Sequence, residues 1–376
     1  MRVRPARVER LPQQYFGALL ETVSRHAALD GEPLIDLGRG NPETGPPPHV
    51  VEALTGAAQR PDVHGYSPFR GLPELRAALA RRYRDVYGVE VDPDSEVAIV
   101  PGTKTAIVEL CLVLAEEGQT VVLPDPYYPD YPSGPALADA RIEYVPLDPG
   151  QGWAPDFARA PREDVAAVYL NFPSNPCAVA VTEGAFDAAV AYARETGAAV
   201  VHDFAYGDLV FDGREPRSFL ATPGAKEVGV EMFSMSKSYG MAGWRVGFVV
   251  GNAEIVEEMN LLNDHCRVGI FRPIQVACIA ALTGPQGSVA ERRDIYERRR
   301  ERVREVLGPL TCEGTFYVWL KLPDGVTMET ILTESRVALA PGEGFGPSGA
   351  GYTRLSLAVS DETLELGLER LSRVLS

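Results

Sequence analysis

The chain has 376 residues, 45% hydrophobic and 23% charged, enough apolar material for a large core. Its 52 acids against 36 lysines and arginines leave a formal charge of -16, which argues against nucleic acid or an anionic membrane as partner. Cys111, Cys177, Cys266, Cys278 and Cys312 are odd in number and lack C-x-x-C spacing, so reduced thiols, a cytoplasmic location and no metal site are expected.

Met1 to Arg10 is basic without the apolar centre of a signal peptide, and no run is long enough to span a membrane. There is no repeat and no low-complexity linker. Pro42 to Pro48 and the region near Pro273 suggest crossings between a smaller domain, residues 1–45 and 275–376, and a larger one, residues 46–274. Strands alternating with helical patterns indicate an α/β fold with a mostly parallel sheet.

Glu96 to Val100 reads as a short strand ending in Pro101-Gly102, after which a helical run begins through Ala106, Ile107, Leu110 and Leu114. Free amides at such a helix start attract anions, so Thr103 and Lys104 would hold a phosphate; the ATP-loop spacing is missing, and a plain strand-to-helix turn reads the same way. Val165 to Leu170 is an apolar strand running into Asn171-Phe172-Pro173-Ser174-Asn175-Pro176, where two prolines restrain Asn175. An Asn before Pro is also an ordinary turn residue. Ala198 to Asp203 is a further apolar run that would deliver Asp203 at a strand's C-terminal edge, with Tyr206 three residues on; an acid there also serves as a helix N-cap.

Val228 to Phe233 and Arg245 to Val250 read as strands, and between them Ser234-Met235-Ser236-Lys237-Ser238-Tyr239-Gly240 sets Lys237 among small residues. A lone lysine is ordinarily a solvated charge, but one on a connection between buried elements suits chemistry. Ser234, Ser236 and Arg245 are side chains that hold phosphate around an amine able to form a Schiff base with an aldehyde, which implies pyridoxal phosphate. That cofactor needs an acid on its ring nitrogen and donors to its phenolic oxygen; Asp203 meets the first need, Asn175 and Tyr206 the second.

Toward the C-terminus, Arg292-Arg293 and Arg298-Arg299-Arg300 are interleaved with acids and read as a solvated helix face. Thr315 to Trp319 is expected as a strand and Asp361 to Leu375 as an amphipathic helix. Gly342-Glu343-Gly344-Phe345-Gly346 lacks dinucleotide spacing and reads as turn structure.

From about Arg10 onward the chain resembles a fold-type I, class I/II pyridoxal-phosphate aminotransferase, most like the bacterial alanine and LL-diaminopimelate aminotransferase branch. The strings that carry this are Gly40-Asn41-Pro42, His64-Gly65-Tyr66-Ser67, Arg70-Gly71-Leu72-Pro73-Glu74-Leu75-Arg76, Asn175-Pro176, His202-Asp203-Phe204-Ala205-Tyr206, the lysine motif and Tyr352-Thr353-Arg354-Leu355-Ser356. The resemblance implies a large domain with a mostly parallel sheet flanked by helices, plus a smaller α/β domain from both termini. It implies that Lys237 carries the cofactor and moves the substrate's alpha proton, that Tyr128 stacks on the ring, and that Arg354 and Gly40 bind the substrate carboxylate. Asn175 would also lie beside the substrate. Tyr66 matches a tyrosine lent to a neighbour's phosphate, so a homodimer is implied.

Three departures stand out. Cys177-Ala178 follows Asn175-Pro176 where many relatives have Thr-Gly, Arg39 precedes Gly40, and Asn263-Asp264-His265-Cys266-Arg267 is unusual. Arg39 or Arg267 would recognise a polar or acidic substrate side chain, unless each is simply paired at the surface. The activity expected is amino transfer between an L-amino acid and a 2-oxo acid, pyruvate or 2-oxoglutarate. A lyase, cyclase or oxidase on the same scaffold is the alternative. A cofactor-sensing regulator comes third, since the basic DNA-binding segment such proteins carry ahead of this fold has no place here.

Overall fold

The computed structural model describes residues 4–375; Met1 to Val3 and Ser376 lie outside it, and with them the start of the basic N-terminal segment and the last residue of the tail. After a two-residue strand, β1 (Ile35–Asp36), one sheet is built from β2 (Val97–Val100), β3 (Thr120–Asp125), β4 (Arg141–Asp148), β5 (Ala154–Pro155), β6 (Val165–Asn171), β7 (Ala199–Asp203), β8 (Gly229–Ser234) and β9 (Gly247–Gly251). Their order across the sheet is β2-β9-β8-β7-β6-β3-β4-β5. Neighbours from β8 to β4 are parallel, whereas β9 runs antiparallel to β2 and β8, and β5 antiparallel to β4.

Parallel strands covered on both faces lose the polar alternation of a half-exposed sheet, and β3, β6 and β8 are buried along their whole length. Successive side chains still point to opposite faces. Val121, Tyr169, Val201, Met232 and Val249 therefore pack on one side with Ile107, Leu110 and Met259. Val122, Val168, Val200, Phe233 and Phe248 pack on the other with Tyr83, Phe186 and Phe219.

The C-terminal part adds β10 (Tyr317–Lys321), β11 (Val337–Ala338), β12 (Ala340–Pro341) and β13 (Tyr352–Ser356). The last of these lies between β10 and β12 in an antiparallel sheet, while β1 pairs in parallel with β11 and so joins the two ends of the chain. The helix Asp361–Leu375 turns Leu364, Leu368 and Leu371 onto Ile35, Leu37, Phe316 and Val318, as its apolar spacing requires. This is the α/β fold read from the sequence: a mostly parallel sheet with a smaller unit drawn from both termini.

Two local expectations are corrected. The strand expected from Thr315 starts at Tyr317, because Thr315 adopts a left-handed φ of 69° and its hydroxyl accepts the Tyr317 amide at 3.0 Å. The arginines of the helix Gly287–Leu307 are only in part a solvated face: Arg298 is exposed and Arg293 partly exposed, as expected, but Arg292, Arg299 and Arg300 are buried. Arg292 donates to Thr44 and Gly45, Arg299 pairs with Glu43 and Asp361, and Arg300 pairs with Asp212 while lying 5.1 Å from the Phe211 ring centre. Four of these partners lie in the 43–45 segment or at Asp361, so the guanidiniums tie the helix to segments distant in sequence. Among the described residues no helix is long and apolar enough to cross a membrane.

Candidate active site

Asn171, Asp203 and Ser234 are the final residues of β6, β7 and β8, so three parallel strands end at one edge, where open α/β sheets bind ligands. A cavity of about 410 Å³ lies there, with Phe16, Leu19 and Leu20 of the helix Tyr15–Ala27 in its wall.

The Ser234 hydroxyl accepts the Ser236 amide at 3.2 Å and starts the single helical turn Met235–Ser238, which presents Lys237 to the cavity. Lys237 Nζ donates to the Gly40 carbonyl at 3.2 Å and lies 5.0 Å from the Phe316 ring centre and 5.7 Å from that of Tyr206. Burial, and then the Arg354 charge, lower its pKa from 10.5 to about 8, with Asp203 opposing them. A lysine so shifted supplies neutral amine near physiological pH.

Asp203 is buried, with Oδ2 accepting from Tyr131 Oη at 3.0 Å and Oδ1 from the Ala205 amide at 3.1 Å. The Ala205 bond closes a turn; no helix begins there, so the N-cap alternative does not apply. Burial raises the carboxyl pKa, partly offset by those hydrogen bonds and by His202 and Lys237. A carboxyl held high inside a cavity is stabilised as the anion by a cationic N–H partner.

Arg354, on β13, is 0% exposed, and no ion pair to it is formed among the described residues. Nη1 donates to Asn175 Oδ1 at 2.8 Å and Nη2 to the Gly38 carbonyl at 3.0 Å, while the guanidinium carbon sits 3.9 Å from the Tyr317 ring centre. Asn175 is itself held, since its amide donates to Asn171 Oδ1 at 2.7 Å and Asn171 Nδ2 donates to the Asp203 carbonyl at 2.9 Å. Tyr206 Oη lies 3.4 Å from Tyr317 Oη, and Tyr128 packs edge-on against Tyr131 at 5.7 Å between centroids.

At the far side of β2, Gly102 caps the helix Thr103–Leu114 with φ 86°, leaving the Thr103 and Lys104 amides without a partner among the described residues. Arg245, at φ 59°, brings its guanidinium over this helix start and donates to the Ala242 carbonyl at 3.0 Å. A Cβ on Gly102 would come within 2.3 Å of Arg245 Nη2, so only glycine leaves this cradle open. The Lys104 ammonium pairs with Asp130 at 2.9 Å, which leaves the expected anion contact to the backbone amides of Thr103 and Lys104.

Gly40, Thr103, Lys104, Tyr128, Asn175, Asp203, Tyr206, Lys237 and Arg354 all line the cavity. Ser234, Ser236 and Arg245 are not among the residues lining it, the two serines being buried at the start of the lysine turn and within it, and Tyr66 is not brought to the cavity at all: it stands 84% exposed. Arg267 is taken up by Glu109, at 2.5 and 2.8 Å, and does not line the cavity; Arg39 does, paired with Asp36. Ala178, in the departing turn, takes a left-handed φ of 59°, which glycine adopts more cheaply. Sequence reasoning missed Tyr131, Asn171 and Tyr317. The first two had local signals, one three residues after Tyr128 and the other ending a strand; Tyr317 had none.

The high carboxyl of Asp203, the open anion cradle of Gly102 and Arg245, and the lowered Lys237 amine fit the ring nitrogen, phosphate and aldehyde of pyridoxal phosphate. The comparisons agree with that chemistry. The family model for aminotransferase class I and II matches residues 32–371. The chain is 42% identical to the L-glutamine--4-(methylsulfanyl)-2-oxobutanoate aminotransferase of Bacillus subtilis (strain 168), over 98% of this chain and 95% of that one. It is 40% identical to the glutamate-pyruvate aminotransferase AlaC of Escherichia coli (strain K12), over 94% and 89% respectively. The solved structure of substrate-bound BacF from Bacillus subtilis aligns with a TM-score of 0.93 at 36% identity, covering 99% of this chain and 98% of that one. The chain therefore belongs to the class I and II aminotransferases, and it is a fold-type I, pyridoxal-phosphate-dependent transaminase.

Proposed function

We propose that the enzyme moves an amino group between an L-amino acid and pyruvate or 2-oxoglutarate. The observation that carries this reading is Arg354, a buried planar fork with no carboxylate partner among the described residues, beside the lysine that does the chemistry. Such a fork is a receptor for the carboxylate shared by every amino and 2-oxo acid.

Asp203 would hold the cofactor's ring nitrogen, Asn175 and Tyr206 its phenolic oxygen, and Tyr128 its face. Ser234, Ser236, Arg245 and the amides of Thr103 and Lys104 would hold its phosphate. When bound, the cofactor supplies an electron sink for the bond broken at the substrate's alpha carbon. Lys237 Nζ takes the alpha proton and returns it, Arg354 and Gly40 orient the carboxylate, and Asn175 keeps Arg354 in plane. The exposed side chains of Tyr66, Phe69, Val268 and Phe271 support a homodimer in which each chain lends Tyr66 to its neighbour. Five free cysteines fit a reducing cytoplasm.

The test is to give holoenzyme single ¹⁵N-labelled L-amino acids with pyruvate or 2-oxoglutarate and follow the label by mass spectrometry. Label recovered in alanine or glutamate is expected. Consumption of the donor with no label passed to any 2-oxo acid would refute amino transfer.

A further inference from the structure

We infer that Arg39 selects substrates with a second carboxylate, so that dicarboxylic amino and 2-oxo acids are the preferred class; the assignment rests on the amino-transfer reading for the kind of ligand. The segment Gly38-Arg39-Gly40 bridges the two functional cations. The Gly38 carbonyl accepts from Arg354 Nη2 at 3.0 Å, and the Gly40 carbonyl accepts from Lys237 Nζ at 3.2 Å. The Gly38 carbonyl carbon is bonded to the Arg39 nitrogen and the Gly40 carbonyl lies one residue further on, with successive Cα atoms about 3.8 Å apart, so the Arg39 backbone is anchored on both sides.

Of the three residues, only Arg39 has room for a side chain. A Cβ on Gly40 would fall 1.8 Å from Tyr317 Oη, and one on Gly38 would press on the Leu339–Ala340 backbone at 3.2 Å. Arg39 lines the cavity, its side chain 63% exposed at the mouth, with Phe16, Leu19 and Leu20 forming an apolar wall nearby. Its one partner among the described residues is Asp36, whose Oδ2 lies 2.9 Å from Nε. Asp36 is fixed in turn, since its Oδ1 accepts the Gly38 amide at 3.0 Å. This contact steadies the Nε edge of the guanidinium and leaves the terminal nitrogens to point elsewhere. The other cation of the cavity rim, Lys104, is already paired with Asp130. A ligand with its first carboxylate on Arg354 and its chain along the apolar wall would therefore meet Arg39 with its second. Because Arg39 is largely exposed, solvent weakens the contact, and a preference of about tenfold is expected in place of the hundredfold a buried fork gives.

The test uses holoenzyme and two unreactive acids of equal chain length, glutarate with two carboxylates and pentanoate with one. Calorimetric titration should show glutarate binding about tenfold tighter to the native protein, Arg39→Met abolishing that ratio and Arg39→Lys retaining part of it. A ratio unchanged in Arg39→Met, or no glutarate preference in the native protein, would overturn the assignment. Neither acid carries an amino group, so failure of nitrogen transfer would count against the amino-transfer reading and not against this ratio.

Discussion

Replacing Arg354 by methionine should separate activity from stability. In the ligand-free protein the guanidinium makes two hydrogen bonds among the described residues, to Asn175 Oδ1 and the Gly38 carbonyl, and its Nε has no partner among them. Losing two bonds from a charged donor costs about 3–6 kcal/mol. Removing a buried cation that lacks a counter-charge returns several kcal/mol of desolvation, so the two terms nearly cancel. The net change in unfolding free energy should be no more than about 2 kcal/mol, a few degrees in Tm for a chain of this size. The substrate carboxylate, by contrast, loses a bidentate, charge-assisted pair with nothing to replace it. That is about 3–6 kcal/mol, or roughly 10²- to 10⁴-fold in kcat/KM. Steady-state kinetics with the best amino donor, beside thermal melts without ligand, read both quantities. A variant that keeps kcat/KM within about tenfold of the native value would refute Arg354 as the carboxylate receptor. A melt lowered by tens of degrees would refute the cancellation.

Two further outcomes follow from the same cavity. Lys237 in the ligand-free protein should react with an amine-directed acylating reagent along a curve with its midpoint near pH 8, and Arg354→Met should move that midpoint upward, because Arg354 is among the groups that lower it. With the folded pKa near 8 and the ordinary lysine value at 10.5, the unfolded chain binds more protons between those limits. This group therefore makes the ligand-free protein more stable as pH rises from about 8 to 10.5; a midpoint near 10.5 would contradict the assignment. Gly40→Ala places a methyl group 1.8 Å from Tyr317 Oη and 2.9 Å from its Cζ, on a buried ring that also stacks on Arg354. It should cost about 1–3 kcal/mol in urea unfolding and lower kcat/KM more than about tenfold, and unchanged values of both would show that the ring can yield.

The lysine turn, the acid ending β7 and the asparagine loop after β6 were legible because each is a local event: an apolar run stops and a polar residue stands at its end. The helix start at Thr103 was legible for the same reason. What the local pattern could not decide was the fate of long cations. Lys104 pairs with Asp130 and Arg267 with Glu109, while Arg292, Arg299 and Arg300, expected on a solvated face, lie in the interior. Arginine and lysine carry their charge at the end of a flexible stem, so their partners depend on which carboxylates and carbonyls the fold brings near. A run of basic residues interleaved with acids looks the same on a helix whether its face meets water or Glu43 and Asp361.

The sequence alone thus determined the class of fold, the cofactor and the sheet edge at which the candidate site forms, because apolar runs, the polar residues that end them and the lysine motif are each encoded within a few residues. Only the tertiary structure decided the fine chemistry. Arg354 meets Gly38 across 316 positions and Lys237 meets Gly40 across 197. Tyr317 fills the space beside Gly40 and disfavours any side chain there. Contacts of that separation arise when β1 pairs with β11 and the two ends of the chain close over the sheet, and no window of local sequence contains both partners.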